Sequence, residues 1–520
     1  MSFLALNFRV VAFLFGFGGL CFGKSAPEVM TNAGRLLGAE QGGVYSFKGI
    51  PYGADTATTR FQAPKPVTSW EGVRPALAFG QRAPQLGERA GAELPEGEDC
   101  LNLNVWTRGL GDGGKRPVLV YFHGGAYNNG TVNEALYDGT RLCLRGDVVV
   151  VTVNHRLNGF GYLFLADLAG EAYPDSGNAG MLDLVLALRW VRDNIAAFGG
   201  DPGCVTIFGQ SGGGAKCATL MAMPAARGLF HRVWTMSGQQ LTGRTREHAN
   251  QTARELLAAL GIAPEHAADI AKVPLERLRA AMRSGNWTPV VDGRVLPRDP
   301  FSPDASPLSA DIPMVLGNTL DETRGLIGGR DPGAFALDWN SLPAKLGQAV
   351  KPFIGGLKPE EIVAKYRILY PAMSASDVFF AATTAARSWK GMVLEGEARV
   401  RQGGAPTYVY HLNWRSPVDG GKWGASHTLD IPLVFDNVAI AAGQTGGGAE
   451  AQRLADLMSD ALIAFARTGN PATAALPTWP RHELERRPTM LFDLTPRVAE
   501  DPRGEERKLF APVLYVQPGT

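Results

Sequence analysis

The pentapeptide Gly209-Gln210-Ser211-Gly212-Gly213 sets one hydroxyl among small residues, and a hydroxyl becomes a strong nucleophile only when a base removes its proton. In a chain with 64 Gly the spacing G-x-S-x-G is cheap by itself. Its context carries more. The β-favouring run "VTIF" from Val205 leads in, and a helix-compatible stretch from Gly212 to Met223 leads out. A sharp strand-turn-helix junction would hold Ser211 in strained geometry and leave no room for side chains at positions 209 and 213. It would also aim the free N–H groups of the helix start at the place where an oxyanion forms.

Such a serine needs a histidine as base and a carboxylate behind it, both in loops after later strands. Of the histidines, His248, His266, His411, His427 and His482 lie downstream of the elbow and the strand after it, at whose start His231 sits; His248 and His266 fall in a helical stretch, and His411, inside the strand run "YVYHLNW", is expected to be a packed, hydrogen-bonded residue. His427 instead follows that run through the Gly-rich loop "VDGGKWGASHTLD", where a base belongs. For the acid, "PMVLGNTLDETRG" ends a strand and exposes Asp321 and Glu322; position alone does not separate them. A second loop must supply oxyanion N–H donors, and "VLVYFHGGAYNNG" runs a strand into His123-Gly124-Gly125-Ala126. Gly212 would add the N–H after the serine. His123 is expected to pin this loop by hydrogen bonds, and His155 to be structural.

The elements that must position these residues are β-rich runs beginning at Val44, Leu101, Val118, Val148, Val205, Val233, Met314 and Tyr408, with helical stretches between many of them. This alternation predicts an α/β fold: a large, mostly parallel central sheet with helices on both faces. Met181 to Phe198 reads as a buried crossover helix stopped by Gly199-Gly200-Asp201-Pro202. From Arg244 to Pro300 and from Leu342 to about Lys390 the pattern turns helical, predicting insertions that cover the active-site edge. A last amphipathic helix, roughly Ala449 to Thr468, ends at Gly469-Asn470-Pro471.

Composition narrows the function classes. Residues 1–23 carry Arg9, no acid and an apolar run from Val10, the pattern of a removable signal peptide. The run is shorter than the roughly 20 apolar residues that span a bilayer, so export is expected without a stable membrane anchor. Residues 24–520 then form one domain that is formally neutral, which argues against nucleic acid or an anionic membrane as partner. Cys100, Cys143, Cys204 and Cys217 are irregularly spaced, with no C-x-x-C pattern, and read as isolated thiols. No metal or cofactor is implied.

With these pieces in view, the chain resembles the type-B carboxylesterase family of α/β-hydrolases, which includes cholinesterases and bacterial p-nitrobenzyl esterases. The resemblance runs through "FKGIPYG", "EDCLNLNVW", "YFHGGAYNNG", "VTVNHRLNGFGYL", "GDPGCVTIFGQSGGG", "GNTLDE" and "GASHTLDIPLVF". It implies the α/β-hydrolase fold and hydrolysis of small-molecule esters, with Ser211 as nucleophile, Glu322 rather than Asp321 as acid, and His427 as base. Gly124, Gly125 and Gly212 would be the oxyanion donors, and Ser237 resembles a family serine near the acid and base. Two departures stand out. Gln210 replaces the Glu of many members, and Ala83 stands where the partner of Cys100 would be, so the family's first-loop disulfide is not expected. No Trp occurs between Trp70 and Trp106, where cholinesterases keep an aromatic face for choline, which argues against a quaternary-ammonium substrate. The rival readings are an amidase or peptidase with the same triad and a cholinesterase-like adhesion module without chemistry. Oligomeric state is left open.

Overall fold

The structure is a computed structural model that describes residues 26–85, 94–285 and 287–518. The predicted signal peptide, residues 1–23, lies outside the described residues.

The eight β-rich runs all become strands of one 11-stranded sheet. In chain order its strands are β1 (Ala39–Gln41), β2 (Val44–Pro51), β3 (Asn102–Thr107), β4 (Arg116–Phe122), β5 (Val149–Val153), β6 (Gly200–Gln210), β7 (Arg232–Met236), β8 (Met314–Thr319), β9 (Thr407–Leu412), β10 (Pro488–Phe492) and β11 (Arg497–Glu500). Across the sheet they lie in the order β11-β10-β9-β8-β7-β6-β4-β5-β3-β2-β1. Pairing is parallel from β5 through to β10 and antiparallel at both margins. The marginal strands β1, β10 and β11 were not legible in the sequence: they are short, and β1 and β11 lack the buried apolar run that marks the central strands.

The central strands are buried on both faces because side chains alternate across a pleat. Val118, Val120 and Phe122 of β4 join Val205 and Ile207 of β6 in one core. Leu119 and Tyr121 join Phe208 and Trp234 in the core on the opposite face. The crossover helix Ala179–Asn194 packs into the first core, and the amphipathic helix Ala449–Thr468 into the second, ending at Gly469 in the left-handed region with φ 76°.

Strand order decides where a site can form. The chain leaves β4 toward β5 on one side, whereas β6 lies on its other side, so the loops after β4 and β6 diverge and open a crevice at their carboxyl ends. Register brings the ends of three further strands, β7, β8 and β9, to the same rim: Gln210 lies opposite Met236, Met236 opposite Gly317, and Gly317 opposite Tyr410. The two helical insertions behave differently. The second contributes Ala349, Arg387 and Ser388 to the cavity above this rim, whereas none of the cavity's lining residues comes from Arg244 to Pro300. That first insertion is tied elsewhere, through the bonds of Asn178 to the backbone of Val290 and the carboxylate of Asp292. Among the described residues, no helix is long and apolar enough to cross a membrane.

Candidate active site

Ser211 stands between β6 and the helix Gly212–Leu220 with φ 56° and ψ −126°, a conformation that costs a non-glycine residue of order 1–3 kcal/mol. The surrounding contacts enforce it. Ser211 N donates to Met236 O at 2.7 Å, tying the turn to β7. A Cβ on Gly209 would meet the Gly213 carbonyl carbon at 2.4 Å, and one on Gly213 would meet Phe122 O at 1.9 Å. The predicted steric reason for both glycines therefore holds. Gly212 is equally constrained: its Cβ would lie 2.2 Å from Ala126 O, because the glycine loop after β4 sits directly against the helix start. Within that loop Gly125 has φ 86°, which favours glycine.

His427 Nδ1 and Glu322 Oε2 are hydrogen-bonded. The other oxygen, Oε1, accepts from Ser237 Oγ at 2.5 Å, Thr319 N at 2.9 Å and Asn318 Nδ2 at 3.0 Å. Burial pushes the Glu322 carboxyl up, but the adjacent His427 and the bonds from His427, Ser237 and Thr319 outweigh it, so its pKa lies below the ordinary value. A carboxylate held this way keeps its charge although it is fully buried. Asp430, buried nearby, takes a bond from Tyr410 OH at 3.1 Å; burial and then the charge of Glu322 raise its pKa to about 7.

The structure separates the two candidate acids. Asp321 is bonded instead to the loop that carries the histidine: its N donates to Ala425 O at 2.9 Å and its Oδ2 accepts from Ala425 N at 3.0 Å. Arg324 and Arg415 pair with it at 3.4 Å. Asp321 thus fastens the His427 loop beside Glu322. Asp321→Ala is expected to cost about 1–3 kcal/mol of stability, read from urea unfolding.

Ser211 and His427 line one cavity of about 690 Å³, together with Gly124, Gly125 and Ser237. No hydrogen bond joins Ser211 to His427 among the described residues. Gln210, whose backbone begins the turn, places its amide Nε2 3.3 Å from His427 Nε2. Because Nδ1 faces a carboxylate, Nε2 is the ring's acceptor; the Gln210 amide lies about as near to Nδ1, at 3.4 Å, and so sits over the ring rather than on the Nε2 lone pair. The Gln-for-Glu departure therefore bears directly on the base.

His411, His231 and His123 sit as expected. Trp389 Nε1 donates to buried His411 at 2.7 Å, Val205 N donates to His231 Nδ1 at 3.2 Å, and His123 Nδ1 donates to Gly124 O at 2.8 Å. Cys100, Cys143 and Cys217 are buried thiols and Cys204 is half-buried. One site residue escaped sequence reasoning. Lys216 is fully buried in the helix after the serine, and its Nζ donates to Ala126 O at 2.7 Å and His123 O at 3.1 Å. The available signal was a lone lysine in the otherwise small and apolar helix "GGGAKCATL".

A strained serine between a parallel strand and a helix, at the switch point of a mixed sheet, defines an α/β-hydrolase. The chain belongs to the carboxylesterase family, whose model matches residues 25–510, and it is a carboxylic ester hydrolase. It is similar to the para-nitrobenzyl esterase of Bacillus subtilis (strain 168), 36% identical over 504 residues, covering 93% of this chain and 98% of that one. The phenmedipham hydrolase of Pseudarthrobacter oxydans is 32% identical over 488 residues, covering 87% and 92%. Among solved structures, a Geobacillus stearothermophilus carboxylesterase at pH 6.2 superposes with a TM-score of 0.81 at 38% identity, covering 93% of this chain and 99% of that one.

Proposed function

We propose that this carboxylesterase works through a Ser211-His427-Glu322 triad and an acyl-enzyme intermediate. The observation that carries the proposal is the bond from His427 to a buried, four-fold hydrogen-bonded Glu322 in a cavity that also holds the strained Ser211. On substrate binding His427 Nε2 takes up the Ser211 hydroxyl, since catalytic hydrogen bonds commonly tighten only in the substrate complex. Ser211 Oγ then attacks the ester carbonyl carbon while Nε2 takes its proton. The oxyanion faces the N–H groups of Gly124, Gly125 and Gly212, and Nε2–H protonates the departing alkoxide. Water, deprotonated by the same ring, adds to the acyl-serine and releases the acid.

A fluorophosphonate adduct on the peptide carrying Ser211, seen by mass spectrometry, tests this reading; labelling confined to another serine would sink it. An unlabelled, inactive protein would favour the adhesion alternative. Hydrolysis of p-nitroanilides as fast as the matched p-nitrophenyl esters would favour the amidase alternative.

The whole chain from residue 24 is proposed to act as one hydrolase domain, exported after removal of residues 1–23. Its substrate is proposed not to be a choline ester: the cavity wall holds Arg82, paired with Glu96, and Arg330 and Arg387 against the single acid Glu134, so no net negative charge there draws in a cation. Acetylcholine is expected to give a kcat/KM about tenfold or more below that of its neutral isostere, 3,3-dimethylbutyl acetate. Equal values would refute the prediction.

A further inference from the structure

A peptide group has two ends, and what its oxygen accepts alters what its N–H donates. The oxygen of His123 and the N–H of Gly124 belong to one peptide group; the oxygen of Gly124 and the N–H of Gly125 belong to the next. Each oxygen has a specific donor behind it. Lys216 Nζ donates to His123 O at 3.1 Å, and His123 Nδ1 donates to Gly124 O at 2.8 Å. Lys216 also holds Ala126 O at 2.7 Å, which fixes the far side of the same loop, and lies 5.2 Å from the centre of the Tyr127 ring.

We propose that Lys216 and His123 are positioning residues that polarise, from behind, the two peptide groups whose N–H ends receive the oxyanion. The inference rests on the proposed serine mechanism and extends it. Hydrogen bonds in series strengthen one another, and a charged donor strengthens the chain most. The N–H groups of Gly124 and Gly125 thereby become better donors toward the developing negative charge, while the double anchor to His123 O and Ala126 O holds them in place. An amphiphilic surface lysine would not need this burial. Here the ammonium has no exposed surface and, among the described residues, no carboxylate partner.

The groups around it agree with a charge aimed at the loop. His123 and Tyr127 face Lys216 from the glycine loop, His155 from the chain after β5, and Cys217 from its own helix. His155 stacks on His123 with ring centres 4.8 Å apart, and burial followed by the charge of Lys216 holds its pKa well below the ordinary value, so it stays neutral. Cys217 also feels Glu395 from the helix Lys390–Gln402. Burial pushes Lys216 itself down to about 7. The protonated form is the polarising one, so this contribution is present at lower pH and is lost as pH rises through the lysine's pKa.

The test compares wild type, Lys216→Met and Lys216→Gln on p-nitrophenyl butyrate across pH. Lys216→Met is expected to lower kcat about 10- to 100-fold, less than the loss of a whole oxyanion donor, with KM within about threefold. Lys216→Gln, which keeps one donor without charge, is expected to fall between. The alkaline side of the wild-type kcat profile should show an ionisation that is absent from both variants. A kcat within twofold of wild type in both variants, or an alkaline ionisation retained in both, overturns the proposal. Should Lys216→Met fail to fold by circular dichroism, Lys216→Gln alone decides. Failure of the underlying mechanism is seen separately, as wild-type ester hydrolysis that survives Ser211→Ala.

Discussion

Ser211→Ala and His427→Ala are each expected to lower kcat on a p-nitrophenyl ester by about a million-fold, while p-nitrophenyl butyrate still binds. The two side chains act on one proton. Without the ring, the hydroxyl keeps its proton and remains a weak nucleophile; without the hydroxyl, the ring has only water to activate. The double variant is therefore expected to be no slower than either single one. Single-turnover kinetics with p-nitrophenyl butyrate check this, because loss of acylation abolishes the burst of nitrophenol as well as the steady state. What remains would come from the glycine loop and the cavity. A variant of either residue retaining a tenth of wild-type activity would remove it from the proposed machinery.

Glu322→Gln should cost about 10⁴-fold in kcat, and the hydrogen bonds around the side chain give the reason. Oε1 accepts from Ser237 Oγ, Thr319 N and Asn318 Nδ2, so this position can hold only an acceptor. In the glutamine the carbonyl oxygen must therefore take the Oε1 place, and the amide NH₂ must face His427 Nδ1. A ring nitrogen facing a donor must itself accept, which moves the ring proton to Nε2. The imidazole then meets Ser211 with an N–H where a lone pair is needed. Substrate binding is expected to change little, so the loss falls on kcat. The same variant reports on stability. The Glu322 carboxyl has a folded-state pKa below its ordinary value of 4.5, so its stabilising contribution is present above that value and is lost as pH falls through the folded-state pKa. Wild type should lose more stability between neutral pH and the acid range than Glu322→Gln, measured as the urea midpoint at each pH. Parallel pH dependences would show that the carboxylate is not specially stabilised in the fold.

The three substituted residues differ in how far the sequence pointed to them. The serine was legible because its signal is local: a β run, a turn too tight for side chains at 209 and 213, and a helix start lie within about ten residues. The clashes a Cβ would meet at Gly209 and Gly213 are the ones short-range sterics anticipate. His427 was singled out by its loop after a strand, since His248 and His411 fall within elements; His482, also outside any element, is not separated from it by that argument. The acid was not legible from position alone. Asp321 and Glu322 are neighbours in one loop, and only the register of β8 beside β9 decides which carboxylate meets the imidazole and which fastens the loop that carries it.

The sequence by itself determined the elements and the chemistry available: the alternating apolar runs that become both faces of the central strands, the glycines that permit the elbow, and a hydroxyl, an imidazole and carboxylates at strand ends. These follow from side-chain period and backbone sterics, which act between near neighbours. Tertiary structure joined Glu322 and Ser237, which the family resemblance already implied, and alone decided the remaining partnerships: the Gln210 amide over the histidine ring and Lys216 behind the glycine loop. Each joins atoms from separate segments of the chain, and their contact depends on strand order and on burial, where a charge must find a partner because water is excluded.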